Sequence, residues 1–173
     1  DAARFGWAII LDEPKEEEQP PTKIENNALV RIVQPIFDFM GTVPNYREYD
    51  ISAWFLLFFG LFFAMIFGDA GYGSLMLGLV GVFALRSKLK KGRVPDGLKL
   101  FLFLSSLTVL WGGASGSWFG LTKDALPSFL ADLALEPIAM WNPDSTDNIK
   151  VLCFILGGVH LAIAHIKNIL RDF

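Results

Sequence analysis

Between Ile51 and Phe67 the chain places seventeen residues with almost no polar side chain among them. As a helix that run would reach roughly 25 Å, close to the depth of a hydrocarbon core. Gly68-Asp69-Ala70-Gly71-Tyr72-Gly73 interrupts it with one carboxylate and three glycines, and a second apolar run continues from Ser74 to Leu85. The pattern predicts helices over 51–67 and 70–85, folded as a tight hairpin. One continuous helix from Ile51 to Leu85 would be about 52 Å long, too long for a bilayer without extreme tilt. Two further apolar runs predict helices over 98–118 and 149–170. The expected fold is therefore an all-α membrane protein with about four transmembrane helices, a hairpin plus two more.

Residues 1–50 read differently. A short apolar run, Trp7 to Leu11, leads into an acidic, proline-rich stretch from Asp12 to Pro21 that predicts an exposed connector. Leu29, Ile32, Val33, Ile36, Phe37 and Met40 then recur at helical spacing, through Pro35 to Gly41, before Pro44-Asn45-Tyr46 breaks the pattern. This predicts a short helix lying at an interface or against a partner.

Charge sets an orientation. Arg86, Lys88, Lys90, Lys91, Arg93 and Lys99 crowd the segment between the second and third apolar runs. Short basic connections stay on the cytoplasmic side. The connection from Trp118 to Asn148 holds only Lys123 against Asp124, Asp132, Glu136, Asp144 and Asp147, so it belongs on the opposite side. Trp118, Phe119 and Trp141 near its ends suit the headgroup region. The N-terminal stretch, the 86–99 segment and the C-terminus, with Lys167 and Arg171, are thus expected to be cytoplasmic. Composition agrees: 53% of residues are hydrophobic and the mean hydropathy is +0.43, more than an ordinary water-soluble domain carries. Fifteen basic against eighteen acidic residues leave a net charge of −3, which argues against a nucleic-acid-binding surface. The one cysteine, Cys153, lies inside an apolar run and cannot form an intrachain disulfide.

Candidate chemistry is sparse. Asp69 is the only acid between Ile51 and Leu85, and an ionisable group beside a membrane helix is expensive enough to mark either an ion path or a helix cap. His160 and His165 are five residues apart and share no helix face, so a two-histidine metal site is not expected. His160, the deeper of the two, is a candidate for an interhelical hydrogen bond or a proton route. Gly112, Gly116 and Gly120 recur every fourth residue and predict a close helix-packing face, with Gly157 and Gly158 a weaker version on the fourth helix. Neither a phosphate-binding glycine loop, a metal-ligand spacing, nor a nucleophile with a base is visible, so no catalytic residue, cofactor or metal is assigned.

The run from Phe58 through Gly73 resembles the signature of the membrane subunit of V-type and A-type rotary ATPases, called subunit I in bacteria and archaea and subunit a in eukaryotes. Trp7 with Asp12-Glu13-Pro14, Pro20-Pro21-Thr22-Lys23, Asn26-Asn27, Pro35-Ile36-Phe37, Pro44-Asn45-Tyr46, Glu48-Tyr49-Asp50 and Gly157-Gly158-Val159-His160-Leu161 follow the same order. The resemblance implies a non-catalytic stator. Its cytoplasmic arm binds peripheral stalks, and its membrane domain faces a proteolipid ring, supporting proton or sodium translocation coupled to ATP synthesis or hydrolysis on other subunits. It further implies that residues 1–50 end the arm and 51–173 form the first half of the membrane domain, in a bacterial or archaeal cell membrane. The family's essential arginine lies on a later helix; here Arg86 and Arg171 only flank apolar segments. The start at Asp1 without a methionine, and the end at Phe173 on a helix flank, read as an excerpt of a longer chain. Two other readings stay open: a self-contained four-helix transporter or channel subunit, and a soluble helical interaction protein.

Overall fold

Val30–Val33 forms a single 3-10 turn that runs directly into a short helix, α1 (Gln34–Met40), and the left-handed Gly41 ends it. In the computed structural model of the protein, residues 6, 12, 14, 15, 18, 20, 22–42, 46 and 48–172 are described. The apolar run 7–11, much of the acidic connector, and Pro44-Asn45 lie outside the described residues. The longer helices are α2 (Ser52–Phe67), α3 (Ala70–Lys91), α4 (Asp96–Ala114) and α6 (Ser145–Asp172), with one turn, α5 (Ser128–Ala131), between the last two. No strand occurs among the described residues.

Three of these helices, α3, α4 and α6, are long and apolar enough to cross a membrane. The first expected crossing, α2, is a shorter apolar helix of 16 residues. At 1.5 Å per residue it rises about 24 Å.

Several boundaries differ from the expectation for physical reasons. Helix α3 does not stop at Leu85 but continues through Arg86, Lys88 and Lys90 to Lys91. Leucine, lysine and arginine are good helix formers, and cations in the last turns complement the helix dipole. The basic segment is thus mostly the end of a helix, and only 92–95 separate it from α4. At the other end α4 stops at Ala114 rather than 118, where Gly116 turns left-handed at φ 70°. Helix α6 starts four residues earlier than expected, at Ser145, behind a turn in which the Asn142 side chain accepts from the Asp144 N–H at 2.9 Å.

The expected hairpin is tight only at its turn. Helices α2 and α3 do not pack along one another; each packs on α4, which is the central helix. The buried core at one end of this group joins Ile32, Val33 and Phe37 of the N-terminal segment to Leu56 of α2 and to Leu100 and Leu104 of α4. Phe55 and Phe59 extend it, with the Phe37 and Phe55 rings meeting edge to face at 5.0 Å. The N-terminal segment is therefore seated on the membrane helices at the end that carries the basic cluster, where Arg31 Nε also reaches Asp96 Oδ2 at 3.0 Å. Helix α6 lies outboard, touching α2 through Phe58 and His160, while the Tyr49 hydroxyl donates to the Leu170 carbonyl at 3.1 Å.

Candidate functional site

The six residues from Gly68 to Gly73 each have a separate structural task. Helix α2 ends because Gly68 takes φ 66°, a conformation that side-chain-bearing residues avoid, and its N–H still reaches the Ala64 carbonyl at 2.9 Å. Asp69 then leaves the helical region and becomes the cap of α3, its Oδ1 accepting from the Tyr72 N–H at 3.0 Å. Its second oxygen, Oδ2, accepts from the Ser117 hydroxyl at 2.9 Å. Ala70 is fully buried, and its N–H donates to the Ser117 carbonyl at 2.8 Å. Gly71 lies beneath the Phe119 ring, where a Cβ would sit 2.5 Å from Cδ2. Tyr72 meets the same ring edge to face at 5.3 Å between centroids. Gly73 packs on Thr108 and on the backbone of Val109.

From the other side, Gly112 supplies the matching gap. A Cβ at Gly112 would collide with the backbone nitrogen of Ala70, so the last turn of α4 touches the first turn of α3 backbone to backbone. Thr108, 1% exposed, closes its own hydroxyl onto the Leu104 carbonyl at 2.9 Å and so presents only carbon to Gly73. Higher in α2, a Cβ at Gly60 would meet Leu107 and Phe103, so a second close approach joins α2 to α4.

The electrostatics of Asp69 follow from these contacts. Partial burial pushes its carboxyl up, but the backbone N–H of Tyr72, with further donors from Phe119, Ser117 and Gly71, outweighs it and holds the carboxyl below its ordinary value. At neutral pH the group is an ionised, multiply hydrogen-bonded cap at the turn.

The remaining candidates separate. His160 stacks on Phe58 at 4.3 Å between centroids with 19° between planes. Phe58 and Gly68 are ten residues apart along α2, roughly 15 Å. Asp69 and His160 are therefore not brought into one site. Only Gly112 of the expected Gly112, Gly116 and Gly120 face lies on the helix. Gly116 and Gly120 follow the end of α4 in left-handed turns, Gly116 beneath the Trp141 ring and Gly120 in open space. The four-residue spacing predicted a shared face on the premise that the helix continued, and that premise fails at Ala114. Gly157 and Gly158 on α6 face nothing within 4 Å. Among the described residues no cluster of histidine, cysteine and carboxylate could hold a metal ion.

Sequence reasoning missed Ser117, Thr108 and Phe119, which complete the junction. Ser117 is 48 residues from Asp69, and no local pattern links a turn serine to a helix cap that distant. Phe119 carried one signal, an aromatic residue beside Gly120 at an expected interface, but not its partner.

These features define a class: an all-helical protein with helices built for a membrane, locked at one end by glycine contacts and a carboxylate cap. Residues 5–111 match the V-type ATPase 116kDa subunit family, and the chain belongs to it. It is 38% identical over 99% of its length to V-type ATP synthase subunit I 1 of Treponema pallidum. It is also 34% identical over 98% of its length to V-type ATP synthase subunit I of Borreliella burgdorferi. V-type proton ATPase 116 kDa subunit a 3 of Caenorhabditis elegans is 32% identical over 64% of the chain. The chain spans about 28% of the length of the two spirochaete relatives.

Proposed function

We propose that this chain is part of the membrane stator subunit of a V/A-type rotary ATPase, and that it supports ion translocation by bracing the membrane sector without conducting ions itself. The observation that carries the reading is the use of the Gly68–Gly73 signature. Every residue of it is engaged in ending α2, capping α3 or seating α3 on α4. An ion path needs a carboxylate free to exchange its partners, and Asp69 is held by donors on both oxygens. His160 is stacked on a phenylalanine rather than aligned with another titratable group.

In this reading α2 is the first of four crossings, residues 1–50 end the cytoplasmic arm, and the basic end of α3 faces the cytoplasm. The arm's last helix, α1, carries load from peripheral-stalk subunits into the membrane helices through Phe37. Other parts of the subunit meet the proteolipid ring and supply the arginine of the ion path. Proton or sodium flow is thereby coupled to ATP chemistry on separate subunits.

The test uses the full-length protein in intact cells, with Cys153→Ser as background because Cys153 is exposed. Single cysteines at Lys90 and at Asp124 are challenged with a membrane-impermeant maleimide from outside. Labelling at 124 and protection at 90 are expected. Labelling at 90 without lysis overturns the orientation, and with it the stator assignment.

A further inference from the structure

At the basic end of the helices Arg31, Lys91, Arg93 and Lys99 line a cavity of about 380 Å³ together with Val94, Pro95 and Asp96. Four cations thus face one carboxylate. Asp96 is already engaged twice, by Arg31 Nε at 3.0 Å and by Lys99 Nζ at 2.6 Å. Lys91 and Arg93 have no carboxylate partner among the described residues. The cavity is a built feature of the fold. Gly92 ends α3 at φ 67°, the Ser87 hydroxyl donates to the Arg93 carbonyl at 3.1 Å, and Asp96 holds Arg31 and Lys99 on the opposite wall.

We propose that this cavity binds the phosphate of an anionic phospholipid headgroup; the proposal rests on the membrane reading of α3 and α4. A phosphate diester offers two charged oxygens, and the uncompensated Lys91 and Arg93 supply an ammonium and a forked guanidinium suited to them. Basic pockets between membrane helices on the cytoplasmic side have the chemistry of lipid-headgroup sites. The exposed apolar surface of α3 and α4 near this end favours a lipid over a free anion. Leu85 and Leu89 on α3 and Phe101 on α4 are exposed apolar side chains on the same two helices, all within two turns of the charged rim. Acyl chains laid along them would cover surface that a free phosphate leaves bare. An acidic segment of a partner protein would meet the cations equally well but would have no use for these apolar side chains.

The experiment takes the full-length protein in a neutral detergent and reads bound lipid by native mass spectrometry during titration with phosphatidylglycerol or phosphatidylcholine. Each basic residue beside an anionic surface contributes about fivefold in affinity, so the Lys91→Gln/Arg93→Gln double variant should bind phosphatidylglycerol roughly 25-fold more weakly. Phosphatidylcholine binding should change little. Lys123→Gln, at the other end of the helices, is the control and should match the wild type. Helicity by circular dichroism verifies that the double variant folds, and both substituted side chains are exposed. Equal phosphatidylglycerol binding by the double variant and the wild type overturns the proposal. So does displacement of the lipid by millimolar inorganic phosphate, which would make the cavity a free-anion site. Loss of partner subunits from the double variant with lipid binding intact overturns it as well, in favour of a protein ligand. Failure of the membrane reading registers separately, as a monomer stable without detergent.

Discussion

Replacing Gly112 by alanine adds one methyl group where the structure has no room and no soft neighbour. The new Cβ would fall 2.7 Å from both the Cα of Ala70 and the carbonyl carbon of Asp69, and these are backbone atoms that no rotamer change can move. Relief requires the start of α3 to back away from α4. That movement stretches the Ala70 N–H to Ser117 bond of 2.8 Å and the Ser117 to Asp69 bond of 2.9 Å. Overpacking of a tight contact costs about 1–3 kcal/mol, and each weakened hydrogen bond up to about 1 kcal/mol. Against this, alanine is the better helix former by about 1 kcal/mol. The expected net loss is about 2–3 kcal/mol. Gly113 is the internal control, because its Cβ would meet only the Trp118 ring at 4.0 Å, an ordinary contact. Gly113→Ala should be neutral or slightly stabilising. Reversible unfolding of the full-length protein in mixed micelles, read by circular dichroism, compares the two. If Gly112→Ala is as stable as the wild type, or the two variants lose stability equally, the backbone contact between α3 and α4 is not what holds the junction.

Further outcomes follow from the contacts of the junction and of the buried core. Asp69→Ala should lower stability by about 1–2 kcal/mol through the lost cap, whereas Asp69→Asn, which can still accept from Tyr72, should lose less; equal losses would discount the cap. Because the folded carboxyl is held low, its stabilisation is complete above the unfolded value near 3.8 and fades as pH falls through the lower folded value. The stability difference between wild type and Asp69→Asn should therefore be flat from pH 5 to 8 and shrink only in acid; a change near neutrality speaks against this assignment. Gly71→Ala should destabilise by pressing on Phe119, and Phe119→Ala should recover part of that loss in a double-mutant cycle, so strict additivity argues against the stacked geometry. Phe37→Ala should release α1, costing about 3–5 kcal/mol and exposing the 22–42 segment to protease. Arg31→Ala, which breaks only a half-exposed ion pair, should change stability by less than about 1 kcal/mol.

How much of this was legible beforehand depended on whether the signal was local. The apolar runs gave the long helices because hydrophobic length is written consecutively along the chain. The break around Gly68 was readable for the same reason, whereas Asp69 could be read there either as a cap or as part of an ion path, because a glycine followed by a carboxylate does not name the carboxylate's partners. Helix ends were read less well. The basic residues after Leu85 looked like a loop because polarity was taken for irregularity, yet Arg86 to Lys91 favour the helix and its dipole. The glycine spacing after Gly112 misled because periodicity carries meaning only while the helix lasts, and α4 ends two residues later. The partners of the junction could not be found in sequence at all. Ser117, Thr108 and Phe119 acquire their roles only when α3 and the end of α4 are brought together in space.

The placement of α4 between α2 and α3 bears on how such a subunit could resist load. Inside a membrane no hydrophobic drive presses one apolar helix against another, so cohesion must come from close packing and interhelical bonds. The structure concentrates both on α4. Gly60 admits Leu107 and Phe103 from α4, Gly73 admits Thr108, Gly112 admits the backbone of Ala70, and Ser117 just beyond α4 bonds Asp69. Helix α6 is held differently, by the Phe58–His160 ring pair, the Tyr49 hydroxyl bond, Lys167 lying over the Tyr49 and Trp54 rings, and the Asn148 amide donating to the Pro137 carbonyl. On the proposed stator role, force entering through Phe37 would therefore reach α2 and α4 together through a shared buried core. It would reach α3 by way of α4, whose closest backbone approach to α3 is the glycine junction, so a defect at Gly112 should loosen α3 at that end while leaving α1 seated.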